Sequence, residues 1–203
     1  MKAGHTSIYR YSEAMGRIFL QAMQEVVGSQ AVSVILKIAN QDERNGGKQI
    51  DFGQISRIQS ALEEVYGLRG GQGVALRCGR VSFQYGLREF GEQGSTTMLE
   101  FRLLPFNTRL QIGAELLART LTENTGYKMQ VSDQGERLIW SVEQCPVCLG
   151  RHSEGAACHL LVGILQESLF WISGGKFFHV EETHCIAKGD PTCIIVVYKK
   201  PLE

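Results

Sequence analysis

Between Cys145 and Cys193 the chain reads CPVCLGRHSEGAACHLLVGILQESLFWISGGKFFHVEETHCIAKGDPTC. Five of the six cysteines of the 203-residue chain fall here, with His152, His159, His179 and His184 among them. A fold that buries this stretch must either gather the soft ligands or hold them apart. No other segment constrains the architecture as strongly, and the stretch reads as a metal-bearing core.

Two ligand sets compete within it. The first is Cys158, Glu182, Cys185 and Cys193. Cys158 stands at the start of an expected helix, Glu182 and Cys185 straddle the end of an expected strand, and Cys193 opens the next strand. Three thiolates and one carboxylate suit zinc, and a site filled by four protein ligands is structural. The second set uses Cys145 and Cys148 as a C-x2-C knuckle stiffened by Pro146, completed by Cys158 or by Cys185 and Cys193, with His152 in reserve. Five thiols exceed the needs of one zinc ion, so an iron–sulfur cluster is the alternative cofactor. The histidines carry less: His179 lies mid-strand, His159 points away from Cys158, and His184 supports its neighbour. Spacing assembles no Ser-His-Asp or Cys-His constellation and no acid–base carboxylate pair.

The rest of the chain reads as one globular unit, with a helical part over 1–100 packed on a core over 101–203. A helix is expected from Ser12 to Val27, where Met15, Ile18, Phe19, Ala22, Met23 and Val26 recur at helical spacing between a Ser12 cap and Gly28. Val32 to Ala39 fits strand or buried helix equally. Gln41 to Asp51 is a polar loop. A second helix runs through Ile55, Ile58, Leu62 and Val65 to Gly67, and a third through Val74, Ala75, Cys78 and Val81. Gly70, Gly71 and Gly73 lack the Lys-Ser/Thr and the preceding strand of a phosphate loop. Cys78 is a small buried side chain. Gly91 to Gly94 breaks the pattern, and a helix follows over Asn107 to Glu123. Tyr127 to Val131 and Arg137 to Val142 form a hairpin. An apolar helix spans Ala156 to Ile172, and strands span Phe177 to His184 and Cys193 to Tyr198.

Lysine plus arginine and aspartate plus glutamate number 21 each. That balance argues against a nucleic-acid partner. Met1 to Arg17 lack the basic start and apolar run of a secretory signal, and no stretch approaches the ~18 apolar residues of a membrane span. The expectation is a cytoplasmic chain with no membrane partner, where cysteines serve as ligands or redox thiols before disulfides.

The segment VGILQESL after Cys158, the ending VEETHCIAKGDPTC and the segment GQGVALRCGRVSF from Gly71 to Phe83 together resemble the 4-vinyl reductase, or hydrocarbon-binding, domain. That domain occurs in a bacteriochlorophyll-biosynthesis protein and in the sensory modules of phenol-responsive activators. The resemblance covers about the last sixty residues. It implies an α/β (α+β) fold like that of the TRAPP vesicle-tethering subunits, with a twisted antiparallel sheet packed on helices, commonly dimeric. It also implies zinc held by Cys158, Glu182, Cys185 and Cys193. An apolar ligand pocket goes with the family, and Trp140, Trp171, Phe178 and His179 are candidates for it by chemistry.

The expected function is therefore a zinc-stabilised, homodimeric binding or sensing domain for a small hydrophobic or aromatic molecule, without catalysis of its own and read by a downstream protein. An enzyme or accessory factor of tetrapyrrole metabolism and an assembly scaffold are the alternatives.

Overall fold

A computed structural model describes residues 12–39, 52–91 and 98–202. The expected polar loop at 41–51 and residues 92–94 of the expected break lie outside them. Helix α1 (Glu13–Val27) begins where the Ser12 hydroxyl accepts the Met15 N–H at 3.2 Å. It ends at Gly28, whose φ of 81° turns the chain straight into α2 (Ser29–Ile38). The Val32 run is thus helical, with Val32 and Ile35 buried. A buried apolar run of this length fits either state, and here packing on α1 and α3 decides.

Helix α3 (Phe52–Phe90) joins the second and third expected helices into one run, broken by a single non-helical residue, Gly67, with φ 74°. The two halves press closely on each other. A Cβ on Gly71 would lie 2.5 Å from Glu63 Cα. Gly70, Gly71 and Gly73 are thus helical residues and form no phosphate loop. Helix α4 (Met98–Leu103) precedes α5 (Phe106–Thr125), which Gly126 closes in the left-handed region.

Strands β1 (Met129–Asp133) and β2 (Arg137–Val142) form the expected hairpin, turning at Gly135. Helix α6 (His159–Ser173) follows, then β3 (Phe178–His184) and β4 (Cys193–Pro201). The four strands make one antiparallel sheet in the order β1-β2-β4-β3. Strand alternation sends Leu138, Trp140, Val142, Ile195, Val197, Phe178 and Val180 to a buried inner face. Helices α5 and α6 cover it, Phe106 stacking on Phe178 at 6.0 Å between ring centres. The class is therefore mixed α/β, an antiparallel sheet packed on helices, as expected.

Helix α6 is apolar nearly all round because it is sandwiched between the sheet and α3. It crosses α3 at backbone contact. A Cβ on Gly79 would lie 2.0 Å from the Leu160 carbonyl oxygen, and one on Gly163 would lie 2.0 Å from that of Leu76. Among the described residues no single helix is long and apolar enough to cross a membrane.

A methyl at either glycine must push two main chains apart. Gly79→Ala and Gly163→Ala are each expected to cost about 3 kcal/mol, read as a lowered urea midpoint.

Candidate functional site

The closing segments of the chain converge on one buried point. Cys193 opens β4 opposite Val142 at the end of β2. Cys185 ends β3, where a 3-10 turn, Ile186–Lys188, returns the chain. The Lys188 and Asp190 N–H groups bond the Cys185 carbonyl at 2.9 and 3.2 Å, and Asp190 accepts the Cys185 N–H at 2.7 Å. The Ile186 N–H points at Cys193 Sγ, 3.3 Å away. Cys158 caps α6. Cys145 and Cys148 form a tight knuckle closed by a Cys148 N–H bond to the Cys145 carbonyl at 3.2 Å.

The ligand atoms of Cys148, Cys158, Glu182, Cys185 and Cys193 all lie within 4.8 Å of one another. Cys148 Sγ is 3.4 Å from Cys158, 3.5 Å from Cys185 and 3.5 Å from Cys193, and Cys158 is 3.6 Å from Cys193. Four thiolates at ~2.3 Å from a metal ion would stand about 3.8 Å apart, close to these separations. Cys145 sits to one side, 3.3 Å from Cys158. The two ligand sets read from the sequence thus meet in one cluster, and the knuckle belongs to it. Cys78 is buried elsewhere, on α3, and burial pushes its thiol up to about 12.

The electrostatics follow from five buried sulfurs in contact. Bonds from Cys145, Cys148 and Cys158 hold Cys193 down at about 2. Cys148 is lowered by Cys145. Cys145 and Cys158 are pushed well up, chiefly through contacts with Cys148 and Cys145 respectively. A bound cation would favour the ionised form of each thiol it touches.

Glu182 does more than stand near the sulfurs. Its Oε2 accepts the N–H groups of Ala157 and Cys158, both at 2.8 Å, and so fixes the start of α6. Its Oε1 is buried without a partner. His159 beside Cys158 is lowered by burial, against the pull of Glu182. His152 is exposed.

The first half of α3 braces this loop from outside. Gln59 donates to the Ala157 carbonyl at 2.6 Å. Arg151 grips both Glu63 oxygens at 2.6 Å, the side chains being 9% and 18% exposed. Neither pair was legible in the sequence, where the partners stand 98 and 88 residues apart.

A cavity of about 50 Å³ adjoins the knuckle. Its walls come from α1 (Met15, Ile18, Phe19), α3 (Ile55, Ser82), the end of α5, the knuckle (Cys145, Pro146, Val147) and α6. Met129 lines both this cavity and an open groove of about 350 Å³ between α5 and β1. The four pocket candidates from the sequence lie elsewhere. Trp140 and Phe178 are buried on the inner face of the sheet, and Trp171 stacks on Phe101. His179 lies on the outer face, stacked on Tyr198. Strand parity alone put His179 outside; an aromatic neighbourhood in sequence does not choose a face.

No family profile and no curated protein matches the chain. Solved structures do. An H-NOX protein from S. oneidensis in the Fe(II)NO ligation state superposes with TM-score 0.63 at 8% identity, covering 95% of this chain and 99% of that one. A point mutant of T. Tengcongensis H-NOX gives 0.59 at 12% identity, covering 95% and 100%. The phenol-responsive sensory domain of the transcription activator PoxR, with phenol, gives 0.54 at 14% identity, covering 84% and 90%. The chain therefore has an H-NOX-like fold.

Two expectations are corrected by this. The 4-vinyl reductase resemblance, with its TRAPP-like fold, does not stand: no family profile supports it, and H-NOX domains share the fold over nearly the whole chain. Its basis was three short segments, VGILQESL, VEETHCIAKGDPTC and GQGVALRCGRVSF. Zinc as the cofactor, with an iron–sulfur cluster as the alternative, is overturned as well, because structures of this fold are described by their heme. Cysteine spacing names donor atoms and does not select the group they serve.

Arg151→Ala strands Glu63 against the loop. It is expected to cost about 2 kcal/mol and to speed amide exchange across 145–155, with Glu63→Ala recovering part of the loss in the double variant.

Proposed function

We propose that the chain is a binding and sensing domain for a small neutral molecule, without catalysis of its own. The observation that carries this is the shared wall: Cys145, Pro146 and Val147 close the cavity on one side and present the thiol cluster on the other. In this reading the cluster is a clasp. A thiophilic metal ion held by Cys148, Cys158, Cys185 and Cys193 would fasten the knuckle, the start of α6 and the two C-terminal strands, while Glu182 holds α6 by its backbone. A cytoplasmic setting suits thiols that must stay reduced. The H-NOX and phenol-sensor neighbours support a sensing role by their fold. A downstream protein would read the signal, and a homodimer would suit its transmission.

Heme, named for the H-NOX neighbours, does not fit this cavity. The cavity offers about 50 Å³, and its walls carry neither a histidine to ligate iron nor a cation to meet carboxylates. Pockets for cofactors of that class run to ~300–1,000 Å³. A small neutral guest suits the apolar walls better, and two flexible methionines, Met15 and Met129, let the space adapt.

Phenol is a direct probe. It is expected to shift the methyl resonances of Met15 and Met129, and Met129→Ala, which joins the cavity to the outer groove, to tighten it. Methyl resonances that stay fixed for phenol and for every small neutral compound tried would refute the reading.

The clasp has its own test in cobalt(II) titration followed by thiolate charge-transfer absorption. Cys158→Ser, Cys185→Ser and Cys193→Ser are expected to weaken binding ~10- to 100-fold. Cys78→Ser and Glu182→Gln are expected to retain it, the amide oxygen still capping α6.

A further inference from the structure

Three buried helical hydroxyls among the described residues are satisfied on the preceding turn. Thr125 donates to the Leu121 carbonyl, Ser168 to that of Leu165 at 2.8 Å and Ser173 to that of Phe170 at 3.1 Å. Such back-bonding is the ordinary resort of a hydroxyl inside a helix. Ser82, deep in the second half of α3, does otherwise. It is 8% exposed, its Oγ has no hydrogen-bond partner, and it lines the cavity. A buried hydroxyl left unpaired costs about 1–3 kcal/mol, and the carbonyls one turn back stand ready to relieve that cost. Its outlook is into a chamber whose walls hold no Asp, Glu, Lys, Arg or His.

Resting on the binding function argued above, we propose that Ser82 is the polar anchor of this cavity and that the guest is a neutral molecule carrying one hydrogen-bonding group on a small apolar body. Three features define that class. The space of about 50 Å³ suits two or three heavy atoms before Met15 and Met129 move. The charge-free walls exclude ions, whose desolvation nothing there would offset. The Ser82 hydroxyl, which has no partner, supplies one directed bond, and a guest without a matching group leaves it unpaired.

Ethanol, acetate and xenon separate the possibilities when titrated into the full chain, with the methyl resonances of Met15, Met129 and Val147 as reporters. Xenon and ethanol are expected to shift all three, and acetate, similar in size to ethanol but charged, to shift none. Ser82→Ala is expected to fold with an unfolding temperature no lower than wild type, since it removes an unpaired group. It should weaken ethanol roughly tenfold, the worth of one hydrogen bond, and leave xenon within twofold. Ethanol binding untouched by Ser82→Ala, or an acetate shift equal to that of ethanol, overturns the anchor. A parallel loss of xenon and ethanol shows a collapsed cavity and overturns it too. Xenon failing to enter the wild-type protein overturns the cavity as a binding site altogether, whereas xenon entering without ethanol defeats the anchor alone.

Discussion

Everything at the candidate site hangs from the contact of two helix backbones. Helices α3 and α6 meet where Gly79 and Gly163 leave no room for a Cβ, so their relative position is set by main-chain atoms. Main-chain contact is stiffer than contact between side chains, which change rotamer to absorb a shift. The crossing lies within one turn of Ser82 on one helix and within two turns of Cys158 on the other. It therefore fixes the distance between the cavity and the thiol cluster before any loop is closed. Gln59 and the Arg151–Glu63 pair then pull the loop between β2 and α6 onto the same helix.

The cluster supplies what the secondary structure cannot. Residues between the end of β2 and the start of α6 form only turns and irregular chain, so few ladder bonds hold them. Five sulfurs buried together would be a poor substitute if left bare, because bringing thiolates into contact raises the cost of ionising each one. Hydrogen bonds from Cys145, Cys148 and Cys158 lower Cys193, and bonds within the same group raise Cys145 and Cys158. In the proposed function, a cation at the centre would turn repulsion between thiolates into attraction and make the irregular loop a determinate wall.

How much of this could be read in the chain depends on the range of the signal. Helix α1 was legible down to its caps, because Ser12 and Gly28 act locally. The β1–β2 hairpin and the two C-terminal strands were legible through alternation, and the cysteines declared themselves by density. Gly67 was read as an end and is a kink, since whether a chain resumes its helix after a left-handed residue depends on what the second half packs against. The cavity left no local trace at all. Its walls come from separate segments, and Ser82 looked like an ordinary helical serine among Val81 and Phe83. What distinguishes it is a hydrogen bond it does not make, and no sequence pattern records that.

The placement of Cys145 links the two halves of the site. It touches Cys158 at 3.3 Å yet stands apart from the group of ligand atoms that all lie within 4.8 Å of one another. It also lines the cavity. A guest entering there would press on a thiol that is hydrogen-bonded to the residue capping α6, whose amide is in turn held by Glu182. Displacement of Cys145 must alter either the donor set at Cys158 or the start of α6, because the crossing at Gly163 denies α6 the freedom to slide away. In the proposed function, a small neutral molecule would act on the thiol cluster with one rigid helix between cause and effect, and the neighbouring first half of α3, tied to the same loop, would carry the change outward.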